Sequence, residues 1–138
     1  SNTKFVVNHQ LRFHSRIMEF SKLISNKEIG DIRFLEASAR STPPDQGTHI
    51  LDLVCALNNY NDPKSLFGQI SGFTEFKGSP GPASLLSSIV FKNRVCAQIL
   101  CGEKVAPVIF FSSPVYSIKL FLSLFIATLS LGVSHGLT

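Results

Sequence analysis

Apolar residues recur along this chain with two different periods. Ile17, Phe20, Leu23 and Ile24 fall three and four apart. That spacing lines one stripe of an α-helix and predicts a helix over about Ser15–Lys27. Ser15 is a natural N-cap, because its hydroxyl can accept from a free first-turn N–H. Gly30 stands just past the end, where a left-handed residue is wanted. Ile50, Leu53, Val54 and Leu57 repeat the helical spacing and predict a second helix over Thr48–Asn58. Elsewhere the pattern is that of strands. Lys4–His9 and Asp31–Arg40 are rich in β-branched and aromatic residues, and Leu66–Phe76, Ser84–Phe91 and Val95–Leu100 follow. Breaks fall at Ser41-Thr42-Pro43-Pro44, at Asn58–Pro63 and at Gly78–Pro82. Ser84–Phe91 and Val95–Leu100 are spaced to pair as a hairpin across Lys92-Asn93-Arg94. These elements predict an α+β unit, an open and mostly antiparallel sheet with helices packed on one face.

The character of the chain changes after Lys104. From Val105 to Thr138 the one Lys, Arg, Asp or Glu is Lys119. Val115–Val133 spans 19 residues, long enough for a bilayer-crossing helix, although Ser117, Ser123, Thr128 and Ser130 dilute it. No positive flank marks a cytoplasmic side. The membrane reading is therefore open but not favoured over an apolar tail that leaves the sheet incomplete.

Composition narrows the function classes. The chain has 138 residues, 44% apolar with 12 Phe, enough for one domain with a packed core. Its net charge of +4 comes from 13 scattered basic residues with no interleaved aromatic run, so nucleic acid is not an expected partner. Cys55, Cys96 and Cys101 include no C-x-x-C pair, and on one strand Cys96 and Cys101 would face opposite ways. Free thiols, with no secretory signal and no N-x-S/T sequon, suit a reducing, cytoplasmic setting. The chain opens on Ser and its single Met is Met18, which suggests a piece of a longer protein.

The densest chemistry lies in Asp45-Gln46-Gly47-Thr48-His49-Ile50-Leu51-Asp52. A Pro-Pro break delivers an acid to the mouth of a helix, and His49 and Asp52, three apart, share a helical face. An imidazole beside carboxylates can move protons near neutral pH. The same residues also have a plain structural reading, with Asp45 and Thr48 as caps and His49 as a partly buried polar residue. Nothing nearby completes a metal ligand set. A second polar cluster, Asn8-His9-Gln10-Leu11-Arg12-Phe13-His14, joins the first predicted strand to the first helix.

Several segments, taken in order, resemble the Gfo/Idh/MocA family of oxidoreductases. They are Asn8–Phe13 with its Arg12-Phe13, then Ile29-Gly30-Asp31-Ile32-Arg33, then the D-x-G-x-H-x-x-D pattern of Asp45, Gly47, His49 and Asp52. Pro63, Phe67-Gly68-Gln69, Gly72, Phe91-Lys92-Asn93 and Gly102–Pro107 continue the likeness in register over about residues 4–107. The resemblance implies that residues 1–107 are part of the C-terminal, substrate-binding domain, and that 108–138 is a non-homologous tail or a membrane segment. It implies hydride transfer between NAD or NADP and a sugar, inositol or related polyol. Asp45 and His49 would then be catalytic, with Asp52, Arg12 and Gln10 near the substrate. The family's G-x-G-x-x-G turn and E-K-P lysine are absent from this sequence and are expected ahead of Ser1, so no cofactor should bind to this chain alone. Arg94 stands where the family's hairpin usually has Gly. The rival expectation is a non-catalytic sugar-binding or scaffold relative. Either form leaves room for a homo-oligomer built through the open sheet face.

Overall fold

A computed structural model describes residues 2–4, 6–114, 116–121 and 129–133. Two helices, α1 (Ser15–Ser25) and α2 (Thr48–Leu57), pack on one face of a sheet. Its strands are β1 (Phe34–Arg40), β2 (Pro63–Ser71), β5 (Ser84–Phe91), β6 (Cys96–Gly102), β7 (Val108–Ser112), β8 (Tyr116–Phe121) and β9 (Leu129–Val133). The order across the sheet is β2-β5-β6-β1-β7-β8-β9, and β1 with β6 is the parallel pair. Every other neighbouring pair is antiparallel, as the pattern predicted. A separate short hairpin joins β3 (Thr74–Phe76) to β4 (Ser79–Gly81).

The core follows the alternation of the strands. Leu35 and Ala37 of β1 stand in register with Ala97 and Ile99 of β6 on one side and with Phe111 and Ile109 of β7 on the other. All six are buried under the helices. From α2 the buried residues are Ile50, Leu53, Val54 and Leu57, the stripe read from the sequence. From α1 they are Ile17 and Phe20, with Leu23 and Ile24 packed partly against the same cluster. The small Ala37 and Ala39 on β1 leave room for α2 to lie close to the sheet. Cys101 is buried on the helix side of β6 while Cys96 is exposed, so the two thiols do face opposite ways.

Several local expectations are corrected. Lys4–His9 makes no strand among its described residues, and Phe5 lies outside them. Val6 and Val7 are exposed with no strand beside them, and a β-prone segment without a partner has no ladder to join. His14, not Ser15, caps α1, and it makes no side-chain cap bond. After α1 the left-handed residue is Lys27 (φ 59°), with Gly30 (φ 76°) following. The run expected as one strand over Leu66–Phe76 breaks at Gly72 (φ 67°) into β2 and β3. Where a turn was expected over Gly78–Pro82, Lys77 and Gly78 carry the positive φ values of a two-residue hairpin turn, and β4 begins at Ser79.

The sheet continues past Pro107. Val108–Ser112 pairs with β1, and Tyr116–Phe121 and Leu129–Val133 extend the same sheet. An apolar segment can satisfy its backbone equally by a helix or by a ladder, and the free edge of β1 offers the ladder. The 19-residue helical span allowed by Val115–Val133 is therefore not what its described residues form. Residues 115 and 122–128 of that span lie outside the described set. No helix of the described residues is long and apolar enough to cross a membrane.

Candidate functional site

β1 ends at Arg40, and the chain then turns sharply to re-enter the fold as α2. Ser41 takes a positive φ of 131°, and Pro43–Gly47 winds one π-helical turn directly into Thr48. Prolines at the start of that turn need no N–H partner there. Gly47 lies in ordinary contact with its neighbours. A Cβ on it would stand 3.6 Å from Cys101 Sγ and from Pro43 Cβ. This turn sets Asp45 before α2, His49 in its first turn and Asp52 one turn further on.

The second polar segment comes to the same end of the sheet. A 3-10 turn over Gln10–Phe13 packs against α2. Arg12 Nη1 donates to Asp52 Oδ1 at 3.2 Å, a pair whose side chains are 32% and 15% exposed. The same nitrogen also donates to the Tyr60 hydroxyl, and the guanidinium lies 5.1 Å from the Phe13 ring centre. His9 meets His49 edge to face, with ring centroids 5.1 Å apart and planes at 82°. Four atoms of this cluster are buried without a hydrogen-bond partner: His9 Nδ1, His49 Nδ1, Arg12 Nε and Asp52 Oδ2. Buried polar atoms in folded proteins are normally paired, so these four are where a water or a polar ligand would bond.

The expected residues are therefore not all joined in one network. Arg12 and Asp52 are bonded, and His49 sits against His9. Asp45 is held apart, with its carboxylate accepting from Ser41 Oγ at 2.6 Å and from Gln46 Nε2 at 3.4 Å. Among the described residues no hydrogen bond links it to His49. Gln10 is exposed at the start of the 3-10 turn. Beneath the site two thiols feel the acids. Burial, and secondarily the charge of Asp45, pushes Cys101 up to about 11. Burial and then Asp52 raise Cys55. Both stay protonated near neutral pH and are poor nucleophiles. His9 and Tyr60 are the members that spacing did not single out. His9 lies within a polar run that joins two predicted elements, with no spacing that ties it to His49, and Tyr60 lies in a loop with no local signal that it reaches Arg12.

The residues do not form a nucleotide cradle. α1 opens on Ser15-Arg16-Ile17 with no glycine, and the turn before α2 carries Asp45, whose charge repels a pyrophosphate. Neither helix start offers the glycine turn that would anchor a pyrophosphate.

No protein-family model matches the sequence, and no curated protein matches it significantly. Solved structures match its fold. The super-repressor mutant of Gal80p from Saccharomyces cerevisiae superposes with a TM-score of 0.71 at 15% identity over 99% of this chain. An oxidoreductase from Sinorhizobium meliloti does so with a TM-score of 0.71 at 14% identity over 99% of this chain. The WlbA dehydrogenase from Bordetella pertussis, solved with NADH and UDP-GlcNAcA, gives 0.70 at 10% identity over 90%. This chain spans 48%, 44% and 45% of those three chains, about half of each. In fold, this chain resembles about half of each of these Gfo/Idh/MocA-type structures, an α+β unit.

Proposed function

We propose that this chain is the substrate-binding part of an NAD(P)-dependent oxidoreductase acting on a carbinol of a sugar, inositol or related polyol. The observation that carries this reading is the convergence of His9, Arg12, His49 and Asp52 at one sheet end, with four of their polar atoms unpartnered. A polyol presents several adjacent hydroxyls, each both donor and acceptor, and such a mixed set of free nitrogens and oxygens can meet them. A structure solved with NADH and L-sorbose, that of a levoglucosan dehydrogenase, shares the fold at 12% identity, which agrees with this class of ligand.

In this reading His49 takes the proton from, or returns it to, the reacting hydroxyl, since imidazole titrates near neutral pH. Asp45 is the second catalytic candidate, a carboxylate kept in place by Ser41 before α2. Asp52, clamped by Arg12, orients a neighbouring hydroxyl, and Gln10 lies at the rim. The hydride chemistry belongs to NAD or NADP bound by a separate unit of the whole protein, so the chain by itself is inactive. The face of the sheet away from the helices serves in this proposal as the surface for self-association.

The test is His49→Ala in the full-length protein. We expect kcat to fall about 100-fold or more if His49 relays a proton, with KM little changed. An unchanged kcat reduces His49 to a structural residue. A second reading, a non-catalytic relative, is favoured by one observation: the matching Gal80p structure is that of a super-repressor mutant, a regulator rather than a named enzyme. Sugar binding by the full-length protein without turnover under NAD or NADP would select it.

A further inference from the structure

We propose that the chain has a second ligand site, for the phosphate or carboxylate group of a small molecule, at the sheet end opposite His49. The proposal does not depend on the oxidoreductase reading. A cavity of about 420 Å³ opens where α1 and α2 both end and the β5–β6 turn passes beside them. From His49 to Asn58 is nine residues of α2, roughly 14 Å along its axis, so the two sites do not overlap.

The wall of the cavity has an excess of donors. Arg33 and Arg94 line it, and among the described residues neither side chain has an ion pair or a hydrogen bond. Lys27, also on the wall, is matched by Asp31 at 3.6 Å. Three cations, all on exposed residues, thus line the mouth of the cavity with one carboxylate. Asn58 adds a buried donor. It is 3% exposed, and its Oδ1 accepts from Asn93 Nδ2 at 2.8 Å. Asn93 Oδ1 in turn accepts from the Val95 N–H at 3.3 Å. That order fixes both amides and leaves Asn58 Nδ2 as an N–H₂ group with no acceptor.

A cation is the alternative occupant, because helix C-termini present carbonyl oxygens. Those oxygens are largely committed. Val54, Cys55, Ala56 and Asn58 of α2 and its C-cap all accept backbone N–H groups within the turn, and Asn58 O accepts from Asn61 Nδ2 as well. Free donors together with spent acceptors select an acceptor-only ligand. Guanidinium forks match the oxygens of phosphates and carboxylates in pairs. The backbone also holds Arg94 in an unfavourable conformation, φ 68°, which glycine would adopt without penalty.

That strain supplies a clean test. In Arg94→Gly the charge is lost while the backbone is relieved, so a failure to fold cannot account for lost binding. The 138-residue chain is titrated with inorganic phosphate, and separately with acetate, at constant ionic strength, while the side-chain amide signals of Asn58 and Asn93 are followed by NMR. We expect saturable shifts, weakened about tenfold or more in Arg94→Gly, the loss of one charged hydrogen bond. Arg12→Gln, at the other end of the sheet, should leave them unchanged. Saturation by phosphate alone, by acetate alone or by both assigns the group recognised. Shifts that do not saturate into the tens of millimolar, or equal binding by Arg94→Gly, overturn the proposal.

Discussion

Replacing Phe111 by Ala tests whether the apolar C-terminal quarter belongs to the folded unit. Phe111 is 0% exposed on β7, in register with Leu35 of β1, and its ring meets Phe20 of α1 edge to face at 5.4 Å. The side chain therefore ties the segment after Pro107 both to the central strand and to a helix. Removing a fully buried Phe leaves a cavity as well as losing transfer energy, about 3–5 kcal/mol in all, of which the ring pair accounts for about 1. A domain of this kind has roughly 5–15 kcal/mol of stability, so the variant should lose a large share of it. Urea unfolding followed by far-ultraviolet circular dichroism would show a lower midpoint at unchanged slope. Phe110→Ala is the control. Phe110 points to the other face, half-buried against Phe34 at 6.2 Å, and its loss should cost on the order of 1 kcal/mol. Equal, small losses for both variants would refute the placement of Val108–Ser112 in the sheet. So would a chain truncated after Pro107 that stays soluble and as stable as the parent, because truncation strips β7 from β1 and bares its edge.

Iodoacetamide at mildly alkaline pH should label the exposed Cys96 quickly and leave Cys101 intact, and equal labelling would contradict the burial of Cys101. Because its folded value lies above the ordinary 9.0, Cys101 contributes stability that is complete below pH 9 and is lost as the pH climbs through about 11. Cys101→Ala should flatten that part of the stability profile, and an unchanged profile would remove the assignment. A double-mutant cycle on Arg12 and Asp52 should give a coupling energy on the order of 1 kcal/mol, given their partial exposure, and zero coupling would dissolve the pair. Gly72→Ala should cost on the order of 1–3 kcal/mol, since φ is 67° and the new Cβ would stand 2.9 Å from Ala83 Cβ. A melting temperature equal to the parent's would show that the backbone there is not left-handed.

Periodicity alone located both helices to within two or three residues, together with the stripes they bury. It also located the β5–β6 hairpin, because the residues that decide such elements are close neighbours in the chain. The D-x-G-x-H-x-x-D pattern singled out Asp45, His49 and Asp52 for the same reason. Local pattern could not say that Lys4–His9 would find no neighbouring strand, or that Gly72 would divide one apolar run into β2 and β3. A strand exists only if another supplies its hydrogen bonds, and that partner is remote in sequence. The parallel pairing of β1 with β6 joins Phe34 to Cys96, and the antiparallel pairing with β7 joins Phe34 to Ser112. The second pairing decided that the run after Pro107 would extend the sheet, where its hydropathy equally suited a helix. The site divides in the same way. Sequence spacing put His49 and Asp52 on one helical face, while tertiary packing brought His9 to His49 and Tyr60 to Arg12, and held Asp45 on Ser41. Spacing along one element is set by backbone geometry, whereas contacts between elements depend on how separate apolar faces bury one another, and that is settled only when the whole sheet is assembled.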